Sequence, residues 1–228
     1  MTTNSKLRAL LKHITFMKMT ESVAGMSYDP KHQVGSIIVK NDLSTIAGLG
    51  YNGNYSGGEN KRDSDDTGMS GFLHAEENAL IKANIEHPEN YLLFATMTPC
   101  RMCAKRIVNK GIKEVIYKDA YPNADSLDVF RNGGVRVYSI EEKLMILFMN
   151  TPYFNEVVGK KERWSQLPLA DVAVEMTDLM FRQLAGFFEV NQEPLRRLPA
   201  IIIEAGSDLN GMLQQYPYLF GRLLYQMM

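Results

Sequence analysis

The segments His74-Ala75-Glu76 and Pro99-Cys100-Arg101-Met102-Cys103 hold the side chains of this chain best suited to chemistry. One imidazole and two thiolates are soft-to-borderline donors of the kind that bind zinc tetrahedrally, which makes His74, Cys100 and Cys103 candidate ligands. Three protein ligands leave the fourth position for water, as in a catalytic rather than a closed structural site, and zinc can bring the pKa of that water to about 7. Glu76 stands close enough to His74 in sequence to reach such a water without ligating the metal, so it is the candidate proton carrier. A group in that position typically contributes about 10² to 10⁴ in rate. A Cys-x-x-Cys pair alone also occurs as a redox pair or as half of a structural zinc site. A redox pair would leave His74-Ala75-Glu76 unexplained, and a structural site would need a fourth ligand. His13, His32 and His87 lack suitable context and read as surface or core-edge histidines. With only two cysteines in the chain, a disulfide framework is excluded.

These groups need elements to carry them. His74 to Ala83 (HAEENALIKA) is rich in helix formers, with its acidic residues near the start, where the helix dipole favours them. Pro99 suits the first turn of a second helix running to about Lys110, with Gly111 as its stop. Both cysteines then fall in the first turn, where unpaired amides and the positive helix end favour thiolates. Tyr91–Met97 reads as a buried strand, and Gln33–Lys40 with Thr45–Tyr51 as an antiparallel pair broken at Asn41-Asp42. Lys113–Tyr117 and Val135–Ser139 are further strands with a helix around Ser126–Arg131 between them, an order that implies parallel neighbours and an α/β fold. Residues 5–26 carry Leu7, Leu10, Leu11, Ile14, Phe16 and Met17 at helical spacing, and that helix should end near Gly25. From Asn52 to Ser70 glycine, asparagine, serine and aspartate dominate. A loop this long inside a compact domain usually serves a ligand.

A His-x-Glu and a Pro-Cys-x-x-Cys, each opening a helix, form the zinc nucleobase deaminase pattern. HAEENAL and MTPCRMCAKRIVNKGIKEVIY, with SYDPKHQVGSIIV and GLGYNGN upstream, resemble the deoxycytidylate (dCMP) deaminase branch of the zinc-dependent cytidine deaminase superfamily over roughly residues 20–140. The resemblance implies a three-layer α/β/α core with a five-stranded mixed sheet in a deaminase domain, 1–140, followed by a C-terminal helical extension, 141–228. It implies Zn2+ as cofactor, attack of hydroxide on carbon 4 of cytosine, and Glu76 protonating ring nitrogen 3 and then the departing ammonia. The Ala75 N–H would contact the ring carbonyl, the Thr98 carbonyl would receive the amino group, and Asn52 would hydrogen-bond the sugar. A plain Asn-Gly turn is the alternative for Asn52. Tyr121, beyond the fourth strand, could pack an aromatic face on sugar or base, whereas Tyr117 fits the core better. Relatives that read a 5′-monophosphate often carry an arginine just after the Asn-Gly, where this chain has Asn54-Tyr55-Ser56-Gly57-Gly58. Lys61 and Arg62 could take its place, although cations in such a loop are ordinarily solvated. Some relatives bind a second zinc through the insert before His74, but residues 53–73 contain neither cysteine nor histidine, so one zinc per chain is expected.

Composition narrows the partners. Lys+Arg 25 against Asp+Glu 26 gives a net charge of -1, so no global positive field exists to hold a polyanion. Nucleic acid is an unlikely partner on that ground, and Lys105, Arg106, Lys110 and Lys113 read as a charged outer helix face. No apolar run reaches a membrane span, and the amino terminus lacks a signal peptide's form, so a cytoplasmic protein without membrane contact is expected. Residues 141–228 hold Phe148, Phe154, Trp164, Phe181, Phe187, Phe188, Tyr216, Phe220 and Tyr225, which should drive helices to pack on the core or on another subunit of a homo-oligomer. Glu175 and Asp178 form an E-x-x-D that could hold magnesium, though a solvated acidic face suits one such pair better. The leading function is hydrolytic deamination of a small-molecule cytosine nucleotide, dCMP to dUMP plus ammonia. The alternatives are another cytosine nucleoside or nucleotide, RNA or single-stranded DNA, or a catalytically inactive nucleotide-binding regulator.

Overall fold

The computed structural model describes residues 3–66, 69–121, 125–185 and 194–228. Two compact units account for the chain: Lys12–Ile140, and Met1–Leu11 together with Glu141–Met228. The order of elements through the first is the part of α1 (Thr3–Ala24) from Lys12 onward, β1 (Gly35–Lys40), β2 (Ile46–Tyr51), α2 (Ala75–Lys82), β3 (Tyr91–Met97), α3 (Arg101–Lys110), β4 (Glu114–Asp119), α4 (Leu127–Asn132) and β5 (Arg136–Ser139). The strands form one mixed sheet in the order β2-β1-β3-β4-β5. β1 runs antiparallel to both β2 and β3, and β3, β4 and β5 are mutually parallel, as crossover helices require.

β1 and β3 are covered on both faces, which is why their sequences are continuous apolar runs rather than alternating ones. On one face Ile38, Leu93, Ala95 and Val115 meet Ala79 and Ala83 at α2, Ala104 and Ile107 of α3, and Phe130 of α4. On the other, Phe94 takes the His13 ring edge-on at 6.0 Å and stacks with Phe16 at 5.9 Å, both from α1. His13 is thus a core histidine. Helices, sheet and helix make the three layers of the α/β/α core.

The helix ends follow the local chemistry. α3 stops at Gly111, whose φ of 95° is left-handed and whose N–H closes on the Ile107 and Val108 carbonyls. α2 lies so close over β2 that a Cβ at Gly50 would meet the Ala75 carbonyl oxygen and the Ala79 nitrogen. Glycine there sets how near the start of α2, and with it His74, can approach the sheet.

The second unit is helical: α5 (Ile140–Met149), α6 (Pro152–Gly159), α7 (Lys161–Trp164), α8 (Leu169–Ala185), α9 (Leu198–Ala205) and α10 (Leu209–Met227). Phe148 stacks on Phe220 at 3.9 Å and meets Phe154 and Tyr216 at 6.0 and 6.1 Å, so these rings cover one another. Phe187 and Phe188 lie outside the described residues. Glu175 accepts hydrogen bonds from Arg163 and from Trp164 Nε1, the latter at 2.7 Å, and these donors hold its carboxyl below the ordinary range. Its oxygens are used by a cation and an indole. Neither a magnesium site with Asp178 nor a merely solvated face describes it.

Gly50→Ala should cost about 1–3 kcal/mol, because the atoms in the way are backbone and cannot rotate aside. Urea unfolding checks this; an unchanged midpoint would mean that α2 can back away from the sheet without penalty.

Candidate metal centre and active site

His74 caps the start of α2 in an extended conformation (φ -73°, ψ 155°) without spending its side chain on the cap. Its ring is therefore available to turn toward α3. Cys100 is the N-cap of α3, likewise extended, and its Sγ accepts from the Cys103 amide at 3.5 Å. Cys103 follows one turn later and is buried. His74 Nδ1 stands 3.4 Å from each sulfur. A tetrahedral zinc with Zn–S of about 2.3 Å and Zn–N of about 2.0–2.1 Å separates a sulfur from a nitrogen ligand by roughly 3.5 Å. The donor set and its spacing thus fit zinc, through Nδ1 of the histidine, and all three ligand atoms lie within 4.8 Å of one another. No other such cluster occurs among the described residues.

The titration of these groups follows from their contacts. The hydrogen bond with Cys103, aided by His74, draws the Cys100 thiol down to about 3 against the opposing effect of burial. Cys103, which shares that proton and is itself buried, is pushed up. The Cys100 hydrogen bond raises His74, with burial opposing it. Burial raises the Glu76 carboxyl, offset in part by hydrogen bonding and by His74. A proton carrier has to take up and release a proton in turn, and burial favours the protonated form of this carboxyl.

His74, Glu76 and Cys100 open onto a cavity of about 550 Å³, within the usual range for small-molecule sites. Ala75, Glu76, Thr98, Asn52 and Tyr121 all line it, so the candidate contacts occur together. Ala75 is the first residue of α2, and its N–H is one of the amides a helix start leaves without an internal partner. Thr98 is buried and directs its N–H and hydroxyl to the Asp119 carbonyl, while its Oγ1 accepts from the Tyr121 amide at 3.4 Å. Asn52 is no simple turn residue. Its Oδ1 accepts from the Val34 amide at 2.8 Å, and its Nδ2 donates to the His32 carbonyl at 2.8 Å and to Asp29 Oδ2 at 3.2 Å.

Sequence reasoning missed Asp29 and misjudged Arg62. The Arg62 side chain is only 9% exposed, and its Nη1 meets both oxygens of Asp29 at 2.7 Å. Far from being solvated, it is a buried ion-pair partner. Asp29 also accepts from the Lys31 and His32 amides, an Asx turn that Ser27-Tyr28-Asp29-Pro30 could have suggested. Burial pushes the Asp29 carboxyl up, but the Lys31 amide, the Arg62 guanidinium and the His32 amide outweigh it and hold it below the ordinary range. Arg106 pairs with Glu77 at 3.2 Å and Arg101 with Asp128 at 3.0 Å, so each arginine lining the cavity has a carboxylate partner. Tyr117, by contrast, does not line the cavity.

Residues 11–119 match the model of the cytidine and deoxycytidylate deaminase zinc-binding region. The deoxycytidylate deaminase of Homo sapiens is 36% identical over 51% of this chain and 70% of its own length. The chain belongs to the cytidine and deoxycytidylate deaminase family. The deoxycytidylate deaminase of Saccharomyces cerevisiae is 35% identical over 59% of this chain, which spans 47% of that protein's length. Among solved structures, the dCMP deaminase of the cyanophage S-TIM5, in complex with dCMP and dUMP, is 36% identical with a TM-score of 0.51, covering 55% of this chain and 93% of that one. The match to the family model ends at residue 119, before α5 begins.

Removing either sulfur should release the metal. Cys103→Ala, dialysed against a mild chelator, should retain almost no zinc where the parent keeps about one per chain, as metal analysis would read; equal retention would displace Cys103 from the ligand set. Asp29 gives a pH signature. A depressed carboxyl contributes stability that is present above the unfolded pKa of about 3.9 and lost as pH falls through the folded value. The stability gap between the parent and Asp29→Asn should therefore be full near neutrality and shrink in acid. A gap independent of pH would show that the Asp29 charge contributes nothing.

Proposed function

We propose that the protein hydrolyses dCMP to dUMP and ammonia, with the chemistry in the unit Lys12–Ile140. The observation that carries this reading is a buried Glu76 beside a His74, Cys100 and Cys103 triad at zinc spacing, with Glu76, His74 and Cys100 lining one cavity. The likeness to the cyanophage enzyme solved with dCMP and dUMP supports the choice of nucleotide. Bound zinc supplies Lewis acidity that brings the pKa of water to about 7. Glu76 takes a proton from the attacking water and passes it to ring nitrogen 3, which makes carbon 4 electrophilic; it then takes the proton of the newly added hydroxyl and passes it to the amine, so that the C–N bond breaks, ammonia leaves and the carbonyl forms. The Ala75 amide orients the ring by donating to its carbonyl, and the Thr98 carbonyl accepts from the exocyclic amine. Asn52 has both amide hydrogens committed and one Oδ1 lone pair in use, so it serves the sugar as an acceptor from a hydroxyl. Tyr121 offers a flat surface at the cavity wall.

We assign the enzyme to the cytoplasm, where free nucleotides are available, and to assemblies of its own copies, as the family resemblance suggests. No described helix is long and apolar enough to cross a membrane.

Glu76→Gln should keep zinc and fold while lowering kcat by about 10² to 10⁴, read as ammonia release from dCMP. A panel of dCMP, dCTP, deoxycytidine, CMP and single-stranded DNA should give the highest kcat/KM with dCMP. Equal turnover of deoxycytidine would overturn the monophosphate reading, and full activity in the Gln variant would remove Glu76 from the mechanism.

A further inference from the structure

We propose that Asp29 is a positioning residue: through Arg62 it latches residues 54–66 and 69–72, the described part of the insert before His74, in place as a wall of the substrate cavity. The segment leaves the sheet just after Asn52 and returns immediately before His74, its ends joined by paired hydrogen bonds between Gly53 and Leu73 at 3.1 and 2.9 Å. Between those ends it has little apolar material to hold it. Among its described residues only Phe72 is a buried hydrophobe. Such a stretch must be ordered by polar contacts strong enough to offset the chain entropy lost.

One contact stands out on physical grounds. Lys31 reaches Asp65, but that carboxylate is 83% exposed, and exposed pairs contribute little. Asp29 and Arg62 are 3% and 9% exposed, and the guanidinium meets both carboxylate oxygens, a charge-assisted arrangement shielded from water. Arg62 Nε also donates to the Ser64 carbonyl at 3.1 Å, fixing the turn that follows. The same carboxylate accepts from the amides of Lys31 and His32 and from Asn52 Nδ2. A single buried charge therefore joins three stretches of chain: the Asx turn after Ser27, the end of β2 and the insert. Arg62, Ser70 and Phe72 present the insert to the cavity, whereas Glu76 and the metal ligands are carried by α2 and α3. Loosening the latch displaces the wall that binds substrate and leaves the proton carrier where it is.

The consequence is a split between KM and kcat, and this part of the inference rests on the deamination reading above. In full-length, zinc-loaded protein, Arg62→Met and Asp29→Asn should raise KM for dCMP about 10- to 100-fold, with kcat and zinc content nearly unchanged. Arg62→Lys, which keeps a charge for Asp29 but loses the Nε donor to the Ser64 carbonyl, should recover part of the loss. Combining Arg62→Met with Asp29→Asn should add little to either alone, because both remove one interaction. Arg62→Met is the gentler variant, since Asp29 keeps its backbone donors and Asn52. Hydrogen exchange supplies a readout that needs no substrate: peptides covering 59–66 and 69–73 should exchange faster in both single variants, beginning with the Asp63 amide that bonds the Ser70 carbonyl. Exchange equal to the parent in Arg62→Met would overturn the latch, as would a loss of kcat and zinc accompanying the rise in KM. If the parent deaminates no cytosine nucleotide, the functional reading fails, and the exchange comparison still decides whether Asp29 holds the insert.

Discussion

The whole arrangement depends on bringing two helix starts together so that one imidazole nitrogen stands 3.4 Å from two sulfurs. α2 must lie close over the sheet, which Gly50 permits by having no side chain. β3 must deliver the chain to the start of α3 in an extended conformation, so that Cys100 can cap the helix and Cys103 can follow one turn later on the same side. Because β4 runs parallel to β3, α3 has to cross back over the same face, where its Ala104 and Ile107 settle beside Ala79 of α2. Small residues at that contact let the two helices approach, and the donors meet at their amino-terminal ends.

What was legible in the sequence was local. His74-Ala75-Glu76 and Pro99 through Cys103 each carry their meaning within a few residues, because cap preferences and ligand chemistry act over one helical turn. The apolar run Tyr91–Met97 declared a buried strand and Gln33–Lys40 with Thr45–Tyr51 an antiparallel pair for the same reason, and the strand–helix–strand order was enough for the parallel half of the sheet. Asp29 and Arg62 were not legible as a pair. They stand 33 residues apart, in a turn and a polar loop, and nothing in either neighbourhood specifies the other. An arginine in a Gly- and Asp-rich segment looks solvated until the fold supplies a carboxylate. Glu175 misled in the opposite sense: the carboxylate spacing with Asp178 was visible, but the Arg163 and Trp164 donors that occupy it come from α7.

The electrostatics of the cavity repeat at small scale the near neutrality of the chain. Arg62, Arg101 and Arg106 each face a carboxylate, so the cavity wall offers oriented ion pairs rather than a surplus of positive charge. Long-range attraction of an anion to such a site is weak, and recognition has to come from placement of donors and acceptors at short range. Asn52 shows the same economy. Its side chain is held by three hydrogen bonds, which removes rotameric freedom in advance of binding and leaves a single acceptor direction.

The span between the ligands carries a consequence for folding itself. His74 is separated by 26 residues from Cys100 and by 29 from Cys103, and α2 and all of β3, the middle strand of the sheet, lie between them. A metal held by these three side chains closes that stretch into a ring, and in the chain-entropy description a permanent cross-link of such length disfavours the unfolded ensemble by about 3–4 kcal/mol. The ion is then a topological staple around the central strand as well as a participant in chemistry. Depleting it returns that freedom to the unfolded chain, so the cellular lifetime of the protein becomes tied to the supply of its metal.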